Sequence, residues 1–368
     1  MKNTFETDVL IVGGGPSGSS TALSLLKYSD LKVTIIEHSD LNAIRVGEQV
    51  NASVFDFLAY LGLSKNDFGN DCFLPGYASY AAWGSPNLSF RHSILSTQVD
   101  SYQLNREQFD LILLEKASEN GAIVLPRTKA VDFYEQQNNW LVKIRHETKG
   151  DFEIKAKYLV DASGRQSHVC RKIGASYTKQ DDLAAVGAFL YYPEAKMIEN
   201  EILIETVEDG WWYYAALPNN QVVVTLFTDT EIIKDQKLQK IANWSDKLSK
   251  TAHIKIKVKD AILNKKLWVR NAFSHKIDAI DKKNFLAVGD AVASFDPISS
   301  LGIGFAMSSA CHSAKAIMDD SEFNLDSVGE YQKSIKSIFD EYLETKSFFY
   351  KKEQRWNDSP FWRKRNLV

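Results

Sequence analysis

The chain has 368 residues, about twice the usual single-domain length, so two structural units are expected. Apolar residues make up 44 % and charged residues 25 %, which excludes wholesale disorder, and a net charge of −3 gives no bulk reason to bind nucleic acid or an anionic membrane. Aromatic residues, at 12 %, exceed what a core of this size needs, so part of them is expected to line a ligand site.

In chain order, Asp8-Val9-Leu10-Ile11-Val12 reads as a buried parallel strand, followed by Gly13-Gly14-Gly15-Pro16-Ser17-Gly18, a helix from Ser19 to Lys27, and a second apolar strand, Lys32 to Ile36, that ends on Glu37. This is one βαβ unit. Its chemistry needs each piece: Gly13 for the tight turn, Gly15 for close approach of backbone to a pyrophosphate, and Gly18 for helix–strand packing. The helix N-terminus, with Ser17 in its first turn, offers amides to phosphates. Glu37, nineteen residues past Gly18, is placed to accept hydrogen bonds from a ribose diol and disfavours a 2′-phosphate.

Trp140–Arg145 and Phe152–Val160 read as paired strands, the second ending in Asp161-Ala162-Ser163-Gly164-Arg165. Four strand-like stretches then follow between Ala184 and Thr228, with Pro218-Asn219-Asn220 as a hairpin turn, and predict an antiparallel sheet. Lys234–Lys259 is Lys-rich and reads as a solvated helical face rather than a nucleic-acid patch. Asn284–Val288 is another buried strand, closing in Gly289-Asp290-Ala291; Ala306–Met318 is a helix, and the tail from Ser327 is helical with a basic aromatic end that reads as a docked terminal helix.

The cysteines Cys72, Cys170 and Cys311 are far apart and form no CxxC pair, and the seven histidines show no metal-ligand spacing, so neither a disulfide framework nor a metal is expected. The polar, acidic start and the want of any run near the ~18 apolar residues of a membrane span predict a cytoplasmic protein with no membrane partner.

The two later loops resemble the second and third fingerprints of the FAD-dependent aromatic hydroxylase superfamily, which includes flavin monooxygenases, flavin-dependent halogenases and isoprenoid reductases. Arg45-Val46-Gly47-Glu48 resembles its strap, and Arg106 to Asp110 the start of the helix whose arginine faces the cofactor. The resemblance implies an α/β (α+β) fold: a Rossmann-type, glutathione-reductase-like FAD-binding domain with an antiparallel-sheet substrate domain. The implied limits are 1–75, 96–180 and 270–330 for the first, 76–95 and 181–269 for the second, and 331–368 for a C-terminal helical segment. By the same resemblance FAD is contacted by Gly13, Gly15, Ser17, Gly18, Glu37, Arg45, Glu48, Arg106, Val131 (a backbone contact to adenine), Asp161, Gly164, Asp290, Pro297, Gly302 and Ile303.

The family's flavin activates molecular oxygen for delivery to an electron-rich ring, so no separate catalytic triad is expected and the chain shows none. Halogenation is disfavoured. Flavin halogenases carry a Lys shortly after the strap, whereas this chain has none between Lys65 and Lys116. Ser299 stands where they carry a Glu, and their Trp-x-Trp-x-Ile-Pro motif holds Tyr213, Ala215 and Leu217 before Pro218. The stretches Gly210–Pro218, Ala82–Ser85, Asp296–Ser300 and Glu353–Trp362 are similar instead to halogenase-like flavoproteins encoded beside quinoprotein amino-acid oxidases such as lysine ε-oxidase and glycine oxidase. That group builds cysteine tryptophylquinone in the precursor of its partner oxidase, which implies hydroxylation of a protein tryptophan. The alternatives are a hydroxylase of a small aromatic or indole, an isoprenoid reductase, and a flavin-bearing chaperone. Catalytic residues are not assigned; the candidates for the substrate pocket are Trp83, Trp211, Trp212, Tyr213 and Ser299. Strand alternation puts Trp211 with Tyr213 on one face and Trp212 with Tyr214 on the other, so one pair alone is expected to face the flavin. No second GxGxxG follows a strand, and the electron donor is not specified.

Overall fold

The computed structural model describes residues 4–42, 44–91, 101–193, 198–263, 266–278, 282–323 and 327–366. The first apolar run forms the strand Thr4–Val12 inside a seven-stranded sheet. Val33–Ile36 and Gly150–Asp161 run parallel on its two sides, with Ile123–Leu125 beyond the first and Phe285–Ala287 against the end of the second. The earlier half of Gly150–Asp161 pairs instead with Asn139–His146, which pairs antiparallel with Thr128–Gln136. Val9, Leu10, Ile11 and Ile35 are fully buried, as the interior strands of a covered parallel sheet must be. The covering helices are Pro16–Tyr28, Arg106–Glu119 and Gly302–Phe323.

Three loops meet at the carboxyl edge of this sheet. The Gly13 amide donates to Ile36 O at 2.8 Å, Ala162 N to Val12 O at 2.9 Å, and Val288 N to Asp161 O at 2.9 Å. Loops more than a hundred residues apart in sequence are thereby held together where open α/β sheets bind ligands.

The second sheet has eight strands in the order Ile262–Leu263, Leu183–Tyr191, Gln221–Asp229, Gly210–Leu217, Glu201–Val207, Ala78–Ala82 and Ser89–Arg91, with Trp268–Asn271 also on Leu183–Tyr191. All pairs are antiparallel except Ala78–Ala82 with Glu201–Val207. One face, with Trp212, Tyr214, Val224 and Leu226, packs beneath the helices Thr230–Asp235, Ile241–Ser249 and Ile254–Lys257. The lysine-rich stretch therefore hides an apolar side: Trp244 is buried and its indole N–H donates to Val186 O at 3.1 Å. The other face, with Trp211, Ala215, Val223 and Phe227, packs with Tyr350, Phe361 and Trp362 of the C-terminal helices Ser327–Tyr350 and Pro360–Asn366. Those helices are pinned by an ion pair of 2.6 Å from Arg365 to Asp229.

Two small sheets have no counterpart in the sequence reading: Gln49–Asn51, Ser101–Leu104 and Phe73–Gly76, and Tyr177–Lys179, His275–Ile277 and Ala293–Ser294. Strands of two to four residues are too short for period-2 alternation to register. The expected domain limit at 95/96 lies outside the described residues. Among the described residues no helix is long and apolar enough to cross a membrane.

Candidate functional site

Each glycine of the first turn has its own reason. Gly13 has φ +118°, and a Cβ there would lie 2.3 Å from Ala162 O; a Cβ at Gly18 would lie 1.9 Å from Gly13 O. Gly15 differs, since its Cβ would meet nothing within 4 Å and would project into open cavity. It also caps the Pro16–Tyr28 helix without any side-chain hydrogen bond, leaving the first-turn amides for a ligand.

Glu37 is buried at the end of its strand. Its Oε2 accepts from Gly14 N at 2.8 Å, and its Oε1 from Ser39 N at 2.8 Å and Ser39 Oγ at 2.7 Å. Burial would raise its pKa, but hydrogen bonds from His38, Ser39 and the two amides outweigh this and hold it at about 2. The carboxylate thus also ties down the glycine turn. Glu37→Ala is expected to weaken flavin binding by an amount of about 2 kcal/mol, the scale of hydrogen bonds to a charged group; unchanged affinity in a fluorescence titration would refute the ribose role.

The three loops enclose a cavity of about 350 Å³. The first sheet contributes Gly15, Ser17, Gly164, Asp290, Gly302 and Ile303, all foreseen, together with Pro297. Asp290 Oδ2 pairs with Arg165 Nε at 3.1 Å, while its Oδ1 is buried with no partner. Arg165 lines the same wall and donates to Phe273 O and Phe295 O, so it braces the site from below. It went unassigned in the sequence although it closes the second fingerprint.

Glu48 and Arg106 stand between this cavity and a side pocket of about 120 Å³. Arg106 clamps Asp110 at 2.8 and 2.9 Å and donates to Gly47 O at 2.8 Å, which holds the strap on the helix. Arg45 faces the side pocket and pairs with the same Asp110 at 2.8 Å. Asp110 is therefore the buried anchor of both arginines, a role that only their convergence reveals. Glu48 is buried, and its Oε1 has no hydrogen-bond partner.

The second sheet supplies the aromatic wall. Trp211 and Tyr213 line the cavity and Trp212 does not: it packs against Trp244 on the far face. Trp83 sits behind Trp211, with ring centroids 6.1 Å apart, and its indole N–H donates to Phe349 O at 2.8 Å. Ser299 Oγ donates to Asp296 O at 2.8 Å, and it is the next residue, left-handed Ser300, that lines the cavity and donates to Gln49 at 3.0 Å. Trp268 and Arg270 line the cavity from a four-residue strand that carries no motif. Trp268 fits because Gly187 lies beneath it: a Cβ there would come 2.2 Å from Trp268 Cζ2 and 2.7 Å from Thr225 Oγ1. Gly187→Ala is expected to push the indole from the wall and destabilise by about 1–3 kcal/mol, the usual cost of overpacking. An unshifted thermal midpoint and unshifted tryptophan emission would refute this.

Six foreseen FAD positions lie away from the main cavity's lining: Gly13 and Gly18, which shape the turn, and Glu37, Arg45, Asp161 and Val131. Asp161 is fully buried and accepts from Ser163 N and Cys170 N, each at 2.9 Å, so it shapes the loop. Glu37 and Arg45 have been placed above. Val131 is the extra residue of a β-bulge: Asp132 opposes Lys143 and Ala130 opposes Ile144, which leaves Val131 without a register partner.

The cavity fits a flavin dinucleotide. It offers an unblocked glycine and uncapped helix amides for the phosphates, and an unpartnered buried Asp290 oxygen for a hydroxyl-bearing chain. A family model described as FAD binding domain matches residues 6–319. The chain belongs to this FAD-binding domain family. It is 42 % identical over 360 residues (98 % of this chain and 96 % of the relative) to LodB of Marinomonas mediterranea, whose name describes it provisionally as an FAD-dependent oxidoreductase. The crystal structure of the flavin-dependent halogenase CmlS superposes with TM-score 0.88 at 24 % identity, covering 99 % of this chain and 68 % of that one. That of p-nitrophenol 4-monooxygenase PnpA from Pseudomonas putida superposes with TM-score 0.77 at 17 % identity, covering 100 % and 93 %. This FAD-binding domain protein is an FAD-dependent oxidoreductase with the fold of flavin halogenases and monooxygenases.

Proposed function

We propose that this oxidoreductase is a monooxygenase that hydroxylates a tryptophan side chain in the precursor of a partner quinoprotein amino-acid oxidase, during the building of cysteine tryptophylquinone. The observation that carries the reading is the aromatic wall of Trp211, Tyr213 and Trp268, which lines the same cavity as the glycine cradle. Bound FAD would supply the activation of molecular oxygen. The protein's part is to hold an indole by offset and edge stacking, at roughly 0.5–1.5 kcal/mol per ring pair, and to exclude water. Burial drives the Tyr213 phenol well above its ordinary pKa, so it stays protonated and donates to Gln103 Oε1 at 3.3 Å. Gly15 and the uncapped helix amides would hold the pyrophosphate, and the unpartnered Asp290 oxygen a hydroxyl of the flavin's side chain. The similarity of Gly210–Pro218 and Glu353–Trp362 to flavoproteins of quinone biogenesis supports a protein substrate.

Among the described residues no lysine lines the cavity, whose cations are Arg106, Arg165 and Arg270. That speaks against the lysine-dependent chemistry of flavin halogenases. A cytoplasmic setting accords with three buried thiols. The test is co-expression of the precursor of a quinoprotein amino-acid oxidase with and without this chain, followed by mass analysis of its tryptophans. An added oxygen that depends on this chain is expected. Its absence, with turnover of free indoles instead, would support the small-molecule reading. Maturation by a variant that folds without flavin would support the chaperone reading.

A further inference from the structure

Eight tryptophans are scattered through the sequence, and four of them form one contiguous line. Trp211 lines the cavity; Trp83 lies 6.1 Å from it between ring centroids, Trp362 5.6 Å from Trp83, and Trp356 6.3 Å from Trp362 in a stacked pair. Trp211 and Trp362 are buried, whereas Trp356 and Trp83 are half-buried at the surface. Tyr350 touches the line from the side, with centroids 5.6 Å from Trp83 and 5.9 Å from Trp362, and accepts the Trp211 N–H at 3.1 Å.

We propose that this line carries one-electron oxidising equivalents from the cavity to the surface. Indoles are among the most easily oxidised side chains, and electron transfer between rings in near contact outruns transfer over the whole span because tunnelling falls off exponentially with distance. An oxidant in the cavity (the photoexcited oxidised flavin, or an oxygen-derived radical lost from productive turnover) takes one electron from Trp211. Trp83 refills Trp211, Trp362 refills Trp83, and Trp356 refills Trp362. A one-electron reductant in solution, such as ascorbate, then refills Trp356. The oxidant gains one electron, the ascorbate loses one, and the four rings end unchanged.

The surroundings keep the hole mobile. The indole N–H of Trp83 donates to Phe349 O and that of Trp362 to Val207 O, each at 2.8 Å, and that of Trp211 to a phenol. None of these three acceptors is a base that removes the proton, so Trp211, Trp83 and Trp362, once oxidised, remain radical cations that the next ring can refill. At the outer end the Arg355 guanidinium lies 4.3 Å from the centre of the Trp356 ring, where it would oppose a positive hole, but Glu353 neutralises it at 2.6 Å.

The test is a laser pulse on the anaerobic flavin-loaded protein, with the indole radical followed by transient absorption. A long-lived indole radical that ascorbate quenches is expected in the wild type. Trp83→Phe should remove the long-lived component, since a hole confined to Trp211 recombines. Trp356→Phe, at a half-exposed position that tolerates the change, should keep the radical but slow its quenching by ascorbate. A wild type without an indole radical, or a radical whose lifetime and quenching ignore both substitutions, would overturn the proposal.

Discussion

Gly18→Ala is expected to yield a chain that neither folds to the native thermal midpoint nor holds flavin. The added Cβ would lie 1.9 Å from Gly13 O and 3.1 Å from Gly13 C, and both are backbone atoms. No rotamer relieves such a contact, so the Pro16–Tyr28 helix must move off the Thr4–Val12 strand. That exceeds the ordinary overpacking cost of about 1–3 kcal/mol and consumes a large part of a typical stability of roughly 5–15 kcal/mol. Gly15→Ala, in the same motif, separates folding from binding. Its Cβ meets no protein atom within 4 Å and its φ of −74° suits alanine, so the midpoint should be unchanged while the methyl group occupies the phosphate cradle. The expected pair is a misfolded Gly18→Ala and a folded, colourless Gly15→Ala, read by thermal denaturation and by flavin absorbance. A yellow Gly15→Ala would show that the phosphates do not lie there.

The flavin-free protein is expected to lose stability as pH rises from about 5 to 8, through Glu48. Burial lifts its carboxyl from 4.5 to about 7, against the opposing pull of the Arg106 guanidinium and the Glu48 and Gly47 amides. The folded state therefore binds a proton that the unfolded chain has released above 4.5. This contribution is fully present below the unfolded pKa and is lost as pH climbs through the folded one. A shift from 4.5 to about 7 corresponds to about 3 kcal/mol. Glu48→Gln, which keeps the shape and removes the titration, should flatten the profile in urea melts across that range. A slope retained in the variant would assign the effect elsewhere. The same carboxyl borders both the main cavity and the side pocket, so its protonation also sets the charge beside any bound ligand near Tyr213.

The difference between the neighbours Trp211 and Trp212 shows why part of the site escapes sequence reading. Gly210–Leu217 is apolar on both faces, so alternation separates two sets but does not say which one meets the ligand. The helices between Thr230 and Lys257 cover the Trp212 face, and the cavity is left to Trp211. Trp83 was expected in the pocket from its motif, yet it stands behind Trp211, because its ring is held by Phe349 O and by Trp362 of a segment far along the chain. Ser299 loses its place to Ser300 through one left-handed residue. Trp268 and Arg270 had no motif, and Asp110 closed the Arg106–Asp110 motif without an assigned role; each is set by a distant partner, Gly187 beneath Trp268, Ile44 O for Arg270 and two arginines on Asp110.

What the sequence by itself determined is the FAD-binding unit: a strand, a glycine turn, a helix and an acid within forty residues, with the two later loops each closing an apolar strand. Such signals are local, because glycine geometry, helix-end amides and strand burial depend on neighbours along the chain. The tertiary structure alone decided which aromatic rings face the cavity, which arginine is a brace, and that four tryptophans form a line to the surface. Those facts depend on which faces of the second sheet are covered by the helices after Asp229 and by the C-terminal helices. Such packing is set by long-range burial, and no local pattern encodes it.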